Sequence, residues 1–164
     1  MSSLARLLDR ILFGTIALLL AAMVADVTIQ VFFRYVIQDP PTWTEELARY
    51  LFIWQIFLAA GVAFGRGSHI VVDALLMALP RAGKRVLLIV SNLMVLAFLL
   101  VLIWQGANMV GLTSNTFSTA MTLNMGMVYA ALPVGAVVSA LYVILRLLGL
   151  FRGTGGASEA LLVD

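Results

Sequence analysis

Residues 86–145 read VLLIV SNLMVLAFLL VLIWQGANMV GLTSNTFSTA MTLNMGMVYA ALPVGAVVSA LYVIL, sixty positions without one Asp, Glu, Lys, Arg or His. As one helix rising about 1.5 Å per residue, the stretch would run roughly 90 Å, about three hydrocarbon thicknesses. It has to fold back on itself inside a bilayer. The polar run Thr113, Ser114, Asn115, Thr116, Phe117, Ser118, Thr119 near its middle marks the turn. Two transmembrane spans follow, and the chain is an integral membrane protein.

Working outward, two more spans precede this stretch. An apolar run begins at Ile11 and continues past Asp26 to Val36, too long for the core of a signal peptide, so it reads as an uncleaved first span. A second lies near 47–65, and its charged start (Glu45, Glu46, Arg49) reads as an N-terminal turn standing above the membrane. The expected spans are thus about 11–36, 47–65, 86–110 and 125–148. Hydrophobic residues make up 63% and charged residues 11% of the 164, against about 25% charged in a soluble domain. The length leaves room for four spans and short loops and none for a separate soluble catalytic domain.

Between spans two and three, 70–79 is too short to span and too apolar for free solution, and Pro80 ends it. With Arg81, Lys84 and Arg85 following, it reads as an amphipathic helix lying in the interface. The predicted fold is all-α: one four-helix membrane domain over 1–152 with this interfacial helix, then a flexible tail over 153–164. Arg6, Arg10, Arg66, Arg81, Lys84, Arg85, Arg146 and Arg152 fall on one side of the membrane, and only Arg34 and Arg49 on the other. The positive-inside rule then puts both termini in the cytoplasm and the loops 38–44 and 111–124 outside. The net charge of +2 serves as this orientation signal and does not point to nucleic acid. The absence of cysteine excludes disulfides and thiolate catalysis, and a lone His69 excludes a multi-histidine metal site.

Polar groups in so apolar a chain call for partners. Asp26, Gln30 and Arg34 are spaced by four and form a stripe on span one that should face protein. Arg34 can reach Asp39, Glu45 or Glu46. Thr42 and Glu45 have capping-box spacing, Glu45 and Arg49 the spacing of an i,i+4 ion pair, and Trp43 the place of an interfacial anchor. This outer group reads either as capping and pairing for span two or as a docking surface. Gln55, Ser91, Asn92, Gln105 and Asn108 inside spans read as links between helices. Pro133, with Gly135 nearby, implies a kink or a close helix contact. No cofactor site is evident.

The order of these features carries a resemblance. Arg34-Tyr35, then Trp43-Thr44-Glu45-Glu46-Leu47-Ala48-Arg49-Tyr50, then Ala63-Phe64-Gly65-Arg66-Gly67-Ser68-His69-Ile70 with Asp73 and Leu79-Pro80, and late Tyr129-Ala130-Ala131-Leu132-Pro133-Val134-Gly135, resembles the small, Q-type membrane subunit of tripartite ATP-independent periplasmic (TRAP) transporters. The resemblance spans roughly residues 7–150. Asp26 departs from it, where a neutral or amide residue is expected. The resemblance implies a bacterial inner-membrane scaffold that is not an enzyme. Its partners would be a large multi-span subunit carrying the transport sites and a periplasmic binding protein delivering a carboxylate-bearing solute, with import driven by an ion gradient, usually sodium. It implies structural roles for Arg34, Glu45, Glu46 and Arg49 as an outer cluster. Arg66 and His69 would cap the inner end of span two, Asp73 would lie on the interfacial helix, and Asp26 and Gln30 would sit at span or subunit contacts.

Two other readings compete. A self-sufficient proton-coupled exporter would use Asp26 as its membrane carboxylate, although Asp26 lies nearer the outer face than the midplane. A membrane enzyme would need acid-base or metal groups clustered at one depth, and the sequence offers none.

Overall fold

The computed structural model describes residues 3–66 and 80–151. α1 covers Ser3–Phe32 and runs on as a π-turn over Phe33–Ile37; α2 covers Thr42–Arg66 and α3 Arg81–Thr113. The last span is built from a short α4, Met125–Tyr129, and α5, Ala131–Phe151. Four stretches are long and apolar enough to cross a membrane: Asp9–Ile37, Thr42–Phe64, Val86–Thr113 and Met125–Leu148. The four expected spans are present. The helix expected over 70–79, His69, Asp73 and the tail from 153 lie outside the described residues, and Arg66 is described only as the last residue of α2.

The breaks between helices have local causes. Gln38 turns left-handed (φ 61°) at the end of the π-turn, a conformation that stops a helix. Pro40 and Pro41 cannot continue it, and α2 starts directly after them. Pro80 stands extended before α3 and its carbonyl accepts from Lys84 N at 3.0 Å. Asn124 caps α4, its side chain accepting from Gly126 N at 2.8 Å. The interruption at Ala130 falls one turn ahead of Pro133, whose missing N–H leaves the Tyr129 carbonyl without its helical donor. The ladder resumes with Val134 N to Ala130 O at 3.1 Å. The kink implied by Pro133 therefore splits one span into two helices.

The spans stand in a row rather than a closed bundle. α1 packs on α2, α2 on α5, and α5 on α3; α1 and α3 have no comparable contact. The spatial order is one, two, four, three, and the fourth span is central. Its inner stripe is small: Ala136 and Ala140 are buried with Val143 and Leu147, and Leu99 of α3 completes the cluster. Within lipid, helices associate through close van der Waals contact, which small residues permit. At Gly135 a Cβ would come within 2.6 Å of the Phe57 carbonyl oxygen of α2, and at Gly61 within 2.7 Å of Val138 of α5. On the other side of the central span, a Cβ at Gly106 of α3 would meet Leu132 at 2.6 Å and Pro133 at 2.9 Å. Three glycines thus set the spacing of three helices. Ser139, buried between them, is satisfied within its own helix by the Gly135 carbonyl at 2.8 Å.

Candidate functional site: a polar platform at one end of the spans

The polar groups gather where α1 ends, α2 begins and the α3–α4 loop crosses. The charge asymmetry predicts this end to face outward, and it is called the outer end below. Glu46, in the first turns of α2, is the organising group. Its carboxylate accepts from the Ser118 hydroxyl, from Ala120 N at 3.2 and 3.3 Å, and from Met121 N at 3.2 Å. Ser118 Oγ also accepts from Met121 N at 3.2 Å. One side chain of α2 therefore binds a loop more than seventy residues later. These are charge-assisted bonds to backbone donors that no helix or strand supplies with an acceptor.

The loop is shaped to present those donors. Ser118 N donates to Leu123 O and Met125 N to Thr116 O, both at 2.8 Å, and Phe117 and Asn124 form an isolated bridge. Thr122 takes a positive φ of 51° at the turn. Asn124 Nδ2 bonds the Ser114 carbonyl while its Oδ1 caps α4, so one amide closes the loop and starts the next helix. Thr42, Glu45, Glu46 and Arg49 with Thr119 and Ala120 line an open depression of about 420 Å³ on this surface. Trp43 is exposed, and Thr44 is fully buried with its hydroxyl on the Pro41 carbonyl at 2.8 Å.

Arg34 Nη2 meets Glu45 Oε1 at 3.3 Å, with both side chains more than half exposed. Glu45 therefore does not pair with Arg49, which lies exposed on the rim and makes no ion pair among the described residues. Nor does Glu45 close a capping box: α2 already begins at Thr42, and Glu45 turns outward to Arg34. Along the expected stripe Asp26 is buried, Gln30 half-buried and Arg34 exposed, and Arg34 still faces α2, where it reaches Glu45, one of the partners expected for it.

Asp26 is 3% exposed and neither carboxylate oxygen has a partner among the described residues; the same holds for Gln55 Oε1. The contact that buries Asp26 is the one α1 makes with α2. The expected helix-linking amides behave otherwise. Asn92 bonds the Leu88 carbonyl of its own helix at 2.7 Å, and Gln105 and Asn108 point out of the chain. Between helices at the inner end, the Tyr142 hydroxyl donates to the Asp9 carboxylate, a pair separated by so many residues that sequence gives no sign of it. The Glu46 clasp was equally hidden, although Asn124 ahead of an apolar run is a readable N-cap.

Comparison with known proteins agrees with this anatomy. The family model described as tripartite ATP-independent periplasmic transporters, DctQ component, matches residues 23–153. A TRAP transporter small permease protein of Haemophilus influenzae is 31% identical over 157 residues, covering 93% of this chain and 98% of the relative. The sialic acid TRAP transporter small permease protein SiaQ of Vibrio cholerae is 29% identical, with 89% and 85% covered. The isethionate TRAP transporter permease protein DctMQ of Oleidesulfovibrio alaskensis is 29% identical over 85% of this chain, but the match occupies only 23% of that relative. These are transport subunits and not enzymes, and a large membrane subunit is the partner the family implies. The chain is a multi-pass inner-membrane protein, and it belongs to the DctQ family of TRAP transporter small permease subunits.

Proposed function

We propose that this chain is the fixed scaffold of an ion-gradient-driven, sodium-coupled importer of organic acids, holding a large membrane subunit in place and offering a landing surface to a periplasmic binding protein. The observation that carries the reading is the separation of roles along the membrane normal. The spans form an apolar row, and the charged side chains of Arg34, Glu45, Glu46 and Arg49 collect on a platform at one end. A row buries little of itself: few residues of α1 or α3 within the membrane are covered by this chain. Such a layer is suited to cover, and be covered by, another membrane protein. Asp26 does not support the exporter reading, since it is enclosed at the α1–α2 contact and does not line the open depression.

The substrate class is supported by the relatives. Sialic acid and isethionate are both organic anions, one a carboxylate and the other a sulfonate. The platform residues Arg34, Trp43, Glu45, Glu46 and Arg49 are the docking candidates, with both termini on the opposite, cytoplasmic side. Transport should therefore require three components. In proteoliposomes, this chain with its large subunit and binding protein should accumulate substrate under an inward sodium gradient, and this chain alone should accumulate none. Accumulation by this chain alone, driven by a proton gradient, would overturn the reading.

A further inference from the structure

One face of α3 remains unexplained by the fold. Met94, Phe98, Val101, Gln105, Asn108 and Leu112 recur at spacings of four, three, four, three and four, and all six are exposed. Leu112 is 80% and Met94 70% exposed. This is the side of α3 turned away from α5, because Gly106 is the position that meets Leu132 and Pro133. Two amides lie in the stripe. Asn108 Nδ2 approaches Gln105 Oε1 at 3.5 Å, a long contact, and the Gln105 amide donors and the Asn108 carbonyl have no partner among the described residues.

Their depth makes this informative. Gln105 lies eight residues before Thr113, the end of a span running from Val86, or about 12 Å below it. For a span centred in a hydrocarbon layer of about 30 Å, that is inside the layer. Lipid tails offer an amide nothing, so such groups face protein. The hydroxyls on exposed span surfaces do not raise the same demand: Thr15, Thr28 and Thr113 each bond the carbonyl four residues back. On the exposed surface of α1 large apolar side chains predominate and Thr15 and Thr28 are self-satisfied, which suits lipid.

We infer that the Gln105–Asn108 face of α3 is the surface on which the large membrane subunit seats, with the two amides bonding a helix of that subunit. This rests on the scaffold reading above. The occupant is chosen over a second copy because the isethionate relative carries the matched segment as 23% of one longer permease polypeptide. There the counterpart of this chain is joined covalently to further permease sequence and is always beside it. The absence of charge throughout 86–145 fits a contact made by amides and packing rather than ion pairs.

A photo-crosslinking amino acid placed at Gln105, and separately at Leu18 on the exposed face of α1, tests this in native membranes. Both positions are exposed, so folding is preserved. The expected result is a light-dependent adduct with the large subunit from position 105 and none from position 18. The double substitution Gln105→Leu with Asn108→Leu should lower recovery of the large subunit with the tagged chain about five- to tenfold, the loss of two interhelical amide bonds. An adduct with the large subunit from position 18 alone, an adduct from 105 with only a second copy of this chain, or unchanged recovery in the double variant would overturn the inference. Absence of any large subunit from the unsubstituted purification would instead overturn the scaffold reading itself.

Discussion

Glu46 and Glu45 are neighbours with unequal work. Glu46 gathers the Ser118 hydroxyl and two backbone N–H groups of a distant loop, whereas Glu45 meets one exposed arginine. Removing an acceptor leaves its donors unsatisfied, and removing one partner of an exposed ion pair does little. In Glu46→Ala, hydrogen exchange at the Ala120 and Met121 amides should accelerate by roughly an order of magnitude, and binding-protein docking should weaken with it. Glu45→Ala should leave both unchanged and shift stability by no more than about 0.5 kcal/mol. Asp26 makes the opposite prediction. A buried polar group without partners is better replaced by an apolar one of similar size. Asp26→Leu should raise the melting temperature in detergent by about 2–5 °C and leave uptake by the complete transporter intact. Loss of uptake in a well-folded Asp26→Leu protein would show that the carboxyl acts in transport.

At the scale of elements, the sequence made the spans plain and the contacts between them obscure. An uncharged run of sixty residues has one physical solution, and the prolines at 40, 41, 80 and 133 announce three of the breaks. The order of the spans is another matter. Helices this apolar all round show no face to choose, so the row of one, two, four, three was not legible. What selects it is shape: Gly61, Gly106 and Gly135 admit neighbours where any Cβ would collide. The same reason hid the platform. Arg34, Glu45 and Glu46 could be placed at one end by counting residues, and Glu45 was among the three partners within reach of Arg34, but the partners of Glu46 depended on a loop fold. Gly135→Val should therefore disrupt the α2–α5 contact, destabilising the chain by about 1–3 kcal/mol in a denaturant titration in mild detergent. Gly14→Ala, where an added Cβ meets nothing within 4 Å, should be neutral or stabilising by up to about 1 kcal/mol.

Taken whole, the molecule is a layer rather than a container. Its central span is covered on two sides by its own helices, while the outer two spans present most of their surface to whatever lies beside them. A chain built this way has structure without a complete function, which is why charge counting and motif order led to a transporter subunit and not to a substrate. The central claim is that its working form is a complex with a large membrane subunit. The direct measurement is affinity purification of the tagged chain from its native membrane in mild detergent, with mass spectrometry and stoichiometry of what accompanies it. A large multi-span protein at one-to-one ratio is the predicted result. A homogeneous assembly of this chain alone, recovered from membranes that contain the large subunit, would contradict the account.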